Sequence, residues 1–292
     1  MSVARPSIIF CGTPAFAVPS LRALLQSGTL DVCLAITQPD RPAGRGYTLQ
    51  SPPIKDVALR AGIPVLQPES LNAVVSQLPY CDFLVTVAYG QLLSRQVLAH
   101  PRVAPVNVHA SLLPTLRGAS PIQHAILLGH AQSGVTVQRM EASLDTGPIL
   151  SQASHVLSPR ETASTLHDAL SVLGAQLLVD TLSKPLHEQA QDHSKATYCR
   201  KLSKSDGVLQ LASMDAMTID RMVRALTPWP GVRLDDLKIL ATSLTPLTTS
   251  TPILCAGNTT LHLVEVQPAG RTPMSGAEWS RGYSARKPMK GN

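Results

Sequence analysis

With 44% hydrophobic and 15% charged side chains in 292 residues, the chain has enough apolar content for a sizeable core and too much to be disordered. Its net charge of +6 is uneven: residues 1–190 hold 12 Lys and Arg against 11 Asp and Glu, and residues 191–292 hold 13 against 8, so the C-terminal part is either a basic soluble surface or one that meets a polyanion. Five scattered cysteines without a C-x-x-C pair or metal-ligand spacing exclude a disulfide framework and a structural metal site; a first apolar run too short for a signal-peptide core, with no stretch of membrane-helix length, excludes a membrane protein and predicts a cytoplasmic one.

In chain order, apolar runs at 7–11, 32–37, 64–67, 83–87, 103–108, 135–140 and 149–156 read as strands. Helical patterns lie at 15–26, 54–61, 121–128 and 163–182. The first three are closed by Gly28, Gly62 and Gly129, as expected where a helix ends in a left-handed residue. Strands alternating with helices predict an α/β domain with a mostly parallel sheet covered on both faces, binding its ligand at the carboxyl ends of the strands. From 184 to 205 the pattern dissolves into KPLHEQAQDHSKATYCRKLSKS, which reads as a linker. Beyond it a short helix at 217–225 stops at Pro228-Trp229-Pro230-Gly231. Short apolar runs at 237–241, 251–255 and 261–266 then read as a small β-barrel or sandwich.

Three places carry candidate chemistry. Gly12-Thr13-Pro14 joins the first strand to the first helix, where a phosphate-binding turn would sit. It lacks the three-glycine pattern, so a packed turn is the better reading. The stretch TQPDRPAGRGYTLQSPPIK, 37–55, is a long Pro- and Gly-rich loop holding Arg41, Arg45 and Lys55 beside one acid, Asp40. It reads as a clamp for a phosphate-bearing ligand or as a solvated loop. The third is NVHASLLPTLRGASPIQ, where Asn107 and His109 stand two residues apart as a core strand runs out, and so on one face. Asp145, in LDTGPIL, supplies a carboxylate farther along. An amide donor, an imidazole and a carboxylate have complementary roles in acyl transfer to an amine, although a strand-end Asn and His also serve simply to satisfy loop backbone groups.

Taken together, NVHASLLP, RGASPIQ and LDTGPIL resemble the formyltransferase family that uses 10-formyltetrahydrofolate. The stretches GTPAFA, QPDRPAGRG, VAYGQLLS and RALTPWPG are similar to the branch of that family acting on methionyl-tRNA, and the likeness runs from about Ser7 to about Val266. The resemblance implies a Rossmann-like catalytic domain over 1–187, a linker over 188–204 and an OB-like, tRNA-binding β-barrel over 205–292. It makes Asn107, His109 and Asp145 the catalytic set, Ser111, Leu112, Leu113 and Pro114 part of the folate site, and Arg41 and Arg45 contacts to the tRNA, with no metal. The expected partner is initiator methionyl-tRNA, not DNA, and the expected state is a monomer. Ala15, Ser94 and Leu116 depart from the pattern, which commonly has an acid, a Pro and an aromatic there; none belongs to the catalytic set. Two rival readings are a relative formylating an amino-sugar nucleotide, and a non-catalytic RNA-binding protein.

Overall fold

In a computed structural model that describes residues 5–43 and 48–284, the chain divides into two compact units. The first comprises Met1–Pro121, Gln132–Val156 and His167–Cys199; the second comprises Ile122–Ala131, Leu157–Leu166 and Arg200–Asn292.

The strands of the first unit are β1 (Ser7–Gly12), β2 (Asp31–Ile36), β3 (Arg41–Ala43), β4 (Thr48–Gln50), β5 (Val65–Leu66), β6 (Phe83–Val87), β7 (Ala104–His109), β8 (Arg117–Gly118), β9 (Gln132–Arg139), β10 (Ile149–Val156) and β11 (Tyr198–Cys199). Its helices include α1 (Val18–Gln26), α2 (Pro53–Arg60) and α3 (Arg95–Leu98), followed in the chain by α4 (Pro121–Leu127) and α5 (Ala163–Leu182). Seven strands form one sheet in the order β10-β9-β7-β6-β1-β2-β5. All pairings from β7 to β5 are parallel, whereas β9 and β10 run antiparallel at the other edge. The seven runs read from the sequence are these seven strands, and the mostly parallel α/β sheet is formed. The chain winds outward from β1 through β2 to β5, then returns to pair β6 on the other side of β1, so the carboxyl ends of β1 and β6 flank a topological switch point.

Period-two patterning builds the central strands. Val106 and Val108 on β7, with Val135 and Val137 on β9, turn to one face, and Gly174 of α5 lets that helix approach: a Cβ there would lie 3.0 Å from Val108 and 3.3 Å from Val135. Asn107, His109, Thr136 and Gln138 turn to the other face. One departure from the family's pattern has a simple local solution. Ser94, where Pro is common, caps α3 by accepting from the Val97 amide at 3.3 Å. The five cysteines are free thiols, four of them buried, and burial pushes the Cys81 thiol up to about 12.

The stretch read as a linker is partly woven into this unit. Gln189 exchanges both backbone hydrogen bonds with Ile149, Gln191 is 6% exposed, and β11 pairs in parallel with β8. Gly118 permits that last contact, since its φ is +115° and a Cβ would stand 2.3 Å from the Cys199 carbonyl oxygen.

The second unit contains α6 (Ala216–Leu226), α7 (Gly276–Ser284) and an antiparallel sheet of β12 (Val232–Leu234), β13 (Leu237–Ser243), β14 (Thr251–Cys255), β15 (Thr259–Pro268) and β16 (Met274–Ser275). The order is β12-β13-β15-β14, with β16 also on β15. Among the described residues no ladder joins β12 to β14, so no closed barrel forms where the sequence suggested a small β-barrel or sandwich. Asp215 caps α6 by accepting from the Thr218 amide at 2.7 Å, and the buried face of that helix carries Ile219, Met222, Val223 and Leu226.

Candidate functional site

The site gathers at the carboxyl end of β7. Register places Asn107 between Thr86 of β6 and Gln138 of β9, and His109 beside Thr136. The Thr86 hydroxyl donates to Asn107 Oδ1 at 2.9 Å, and Asn107 Nδ2 donates to nothing among the described residues. His109 is 7% exposed, and its Nε2 lies 2.9 Å from the Leu116 carbonyl. A carbonyl only accepts, so Nε2 carries a hydrogen and donates it. Nδ1 faces Asp145 Oδ1 at 3.7 Å, both side chains being 8% exposed.

Asp145 is therefore brought to His109, as the sequence suggested. It stands in the left-handed region at φ +54°, a conformation Asp tolerates better than most residues. Its Oδ2 accepts from the Gly118 amide at 2.8 Å and its Oδ1 from Gln138 Nε2 at 3.1 Å. Leu116, a departure from the expected pattern, is also held at positive φ, +56°, with its side chain buried while its carbonyl serves His109.

The segment from Ser111 to Pro114 is tied onto the sheet by its backbone. Thr136 Oγ1 donates to the Ser111 carbonyl at 2.7 Å and accepts from the Leu113 amide at 3.0 Å, while Gln152 Nε2 donates to the Leu113 carbonyl at 2.9 Å. The Ser111 hydroxyl is committed to the Thr115 carbonyl at 2.6 Å, and Leu113 is 3% exposed. Leu112 and Pro114 are half-buried, Leu112 lying over Gly134, where a Cβ would meet it at 2.6 Å.

The Gly12-Thr13-Pro14 turn is packed. A Cβ on Gly12 would come within 2.8 Å of Phe10, and the Thr13 hydroxyl donates to the Tyr89 carbonyl at 3.0 Å, which also accepts from Gln38 Nε2 at 3.2 Å. These bonds knit the loops after β1, β2 and β6 together. In the long basic loop, Lys55 is bound to Asp40 at 2.6 Å, and Gln67 donates to the same carboxylate at 2.7 Å; these two partners hold Asp40 below the usual carboxylate range. Arg41, opposite Gln50 in the β3–β4 ladder, is exposed and makes no ion pair among the described residues. Arg45 lies outside the described residues.

Sequence reasoning missed Thr86, Gln138, Arg117 and Gln191. Arg117 is 2% exposed, and Gln191 sits beneath the Asp145 loop. The alternation Val135-Thr136-Val137-Gln138 carried a signal for one of them, because it places two polar groups on the inner face of a core strand. Gln191, within an aperiodic polar stretch, carried none.

Residues 5–182 match the family described as Formyl transferase, and residues 201–284 match its C-terminal domain. The chain belongs to the formyl transferase family. Within it, the chain is 41% identical over 301 residues to the methionyl-tRNA formyltransferase of Paramagnetospirillum magneticum, covering 96% of this chain and 98% of that protein. It is 42% identical to the enzyme of the same name from a Roseiflexus species, covering 94% and 92%. The fold is also that of the N-formyltransferase from Helicobacter canadensis, solved with folinic acid and dTDP-3-aminofucose (TM-score 0.68, 16% identity, 89% of this chain and 99% of that one).

Proposed function

We propose that this chain transfers the formyl group of 10-formyltetrahydrofolate to the α-amino group of methionyl-tRNA, the initiator species, giving N-formylmethionyl-tRNA. The observation that carries the reading is the meeting of Asn107, His109 and Asp145 on one face at the end of β7, in a chain so similar over nearly all its length to enzymes of that name.

The reaction joins the amine nitrogen to the formyl carbon, moves the carbonyl π electrons onto oxygen, then expels N10 of the folate. A free α-amino group titrates near about 8, so a usable fraction is uncharged at neutral pH, and the barrier lies in the tetrahedral intermediate. Asn107 offers it an Nδ2 donor that no described residue engages, its Oδ1 being taken by the Thr86 hydroxyl. His109 offers Nδ1–H when protonated, and Asp145 across from it stabilises that imidazolium. The same carboxylate, through water, takes the proton the amine must lose and returns it to N10 as that nitrogen leaves. The donor set suits a formyl oxygen, and the half-buried Leu112 and Pro114 offer apolar surface for a folate ring.

In this reading residues 1–187 are the catalytic domain, 188–204 the connection, and 205–292 an OB-like domain that holds tRNA phosphates, with Arg41 and Arg45 reaching the acceptor end. The protein works as a monomer in the cytoplasm; among the described residues no helix is long and apolar enough to cross a membrane. The test is mass spectrometry of methionyl-tRNA after incubation with protein and 10-formyltetrahydrofolate. A gain of one CO on the methionyl group supports the proposal, and unmodified methionyl-tRNA overturns it.

A further inference from the structure

We infer that Gln191 is a positioning residue for the formyl transfer: its carboxamide carries the fixed polarity of the buried Arg117 guanidinium to the loop that holds the Asp145 carboxylate. The inference rests on the role given to Asp145 above.

A guanidinium can only donate. Arg117 directs two N–H groups at Gln191 Oε1, from Nη2 at 2.6 Å and from Nε at 3.2 Å. That settles which end of the Gln191 amide is oxygen, an assignment that only a network can make. Its Nε2 then faces acceptors alone: the Gly147 carbonyl at 2.6 Å, the Asp145 carbonyl at 3.0 Å and Gln138 Oε1 at 3.5 Å. The Gln138 amide presents its Nε2 to Asp145 Oδ1 at 3.1 Å, as a carboxylate that only accepts requires, and its Oε1 is left on the side of Gln191. The fixed polarity therefore runs from Arg117 through the Gln191 amide to the two carbonyls of the loop that carries Asp145, with Gln138 standing between Gln191 and the carboxylate that faces His109.

Arg117 is otherwise within reach of His193 Nδ1 at 3.0 Å and the Tyr198 hydroxyl at 3.5 Å. Among the described residues no carboxylate comes within ion-pair distance of it. A buried cation is costly unless its donors are matched, and apolar side chains of similar volume would fill the space at less cost. Gln191 also grips the loop itself, at the carbonyls on either side of Thr146, while Gly118 holds the far carboxylate oxygen.

The test compares the full-length wild type with Gln191→Glu and Gln138→Met in steady-state formylation of methionyl-tRNA, with thermal unfolding alongside. Gln191→Glu keeps the shape and the bond to Arg117 but cannot donate to the loop carbonyls, and it sets a second carboxylate near Asp145. We expect kcat to fall about 10–100-fold, as for groups that orient a reacting residue through one intermediate. Both KM values should stay within about threefold, and the pH–rate profile should move to higher pH, because an added negative charge disfavours the ionised carboxylate. Gln138→Met, which removes only the last amide, should move the profile the same way and settles the matter if Gln191→Glu folds poorly. An unchanged kcat, or a loss confined to unfolding temperature and KM with an unmoved profile, overturns the inference. A wild type that transfers no formyl group overturns the functional reading instead.

Discussion

In the proposed role, Asn107 divides one side chain between a structural oxygen and a functional nitrogen. Its oxygen is tied by Thr86 at 2.9 Å, and the burial of Val106 and Val108 on either side fixes the strand that carries it. Only Nδ2 remains for a ligand. Removing one oxyanion donor costs on the order of 10²–10³ in turnover, so Asn107→Ala should slow single-turnover formylation by about that factor. Affinity for methionyl-tRNA should barely change; a collapse of binding with the chemical step intact would contradict the role. Asn107, His109 and Asp145 were legible because polar residues at a strand end are conspicuous against an apolar run, and because the surrounding motifs are specific. Arg117, Gln138 and Gln191 were less so, since an amide has no chemistry that singles it out until register and a fixed partner give it a direction.

Helix α6 shows how an element is anchored by a polar residue on its buried face. Asp220, 2% exposed, accepts from Arg160 Nη1 at 2.8 Å, Arg224 Nε at 2.9 Å and the Thr242 hydroxyl at 2.8 Å. Burial pushes its carboxyl up, but the hydrogen bonds from Arg224, Arg160 and Thr242 outweigh it and hold the group below its usual range. Asp220→Ala leaves the Arg224 guanidinium, 14% exposed, without its carboxylate, and should cost about 3–5 kcal/mol in urea unfolding at neutral pH. The unfolded carboxylate titrates near about 3.9. Between that value and the lower folded one, the unfolded chain binds a proton the folded chain does not. The stabilisation is thus whole above about pH 5 and is lost as the pH falls, and the variant should lack that part of the acid sensitivity. Elements of this unit were only half legible. α6 and β13 to β15 stand out by periodicity, but β12 and β16 are three and two residues long, and the nine-residue α7, polar on much of its surface, gives no apolar run to read.

Across the whole molecule, charge is unevenly spread, in keeping with the proposed division between catalysis and tRNA binding. The first 190 residues are nearly neutral and hold the proposed chemistry; the last hundred or so carry most of the net positive charge. Aromatic residues make up only 3% of the chain, too few for recognition by serial base stacking, so affinity for tRNA must come from phosphate contacts and shape. Counterion release then makes binding steeply dependent on salt, the logarithmic slope growing by about 0.7–0.9 for each phosphate neutralised. Lys201 and Lys204 are exposed near the start of the second unit's last segment, Arg200–Asn292. Replacing both with Ala should make the salt slope shallower by about one to two and raise KM for methionyl-tRNA, with kcat at saturating tRNA little altered. Filter binding over a salt series reads the slope directly. If it does not change, those two cations are not on the phosphates, and the excess charge of this unit serves elsewhere on its surface.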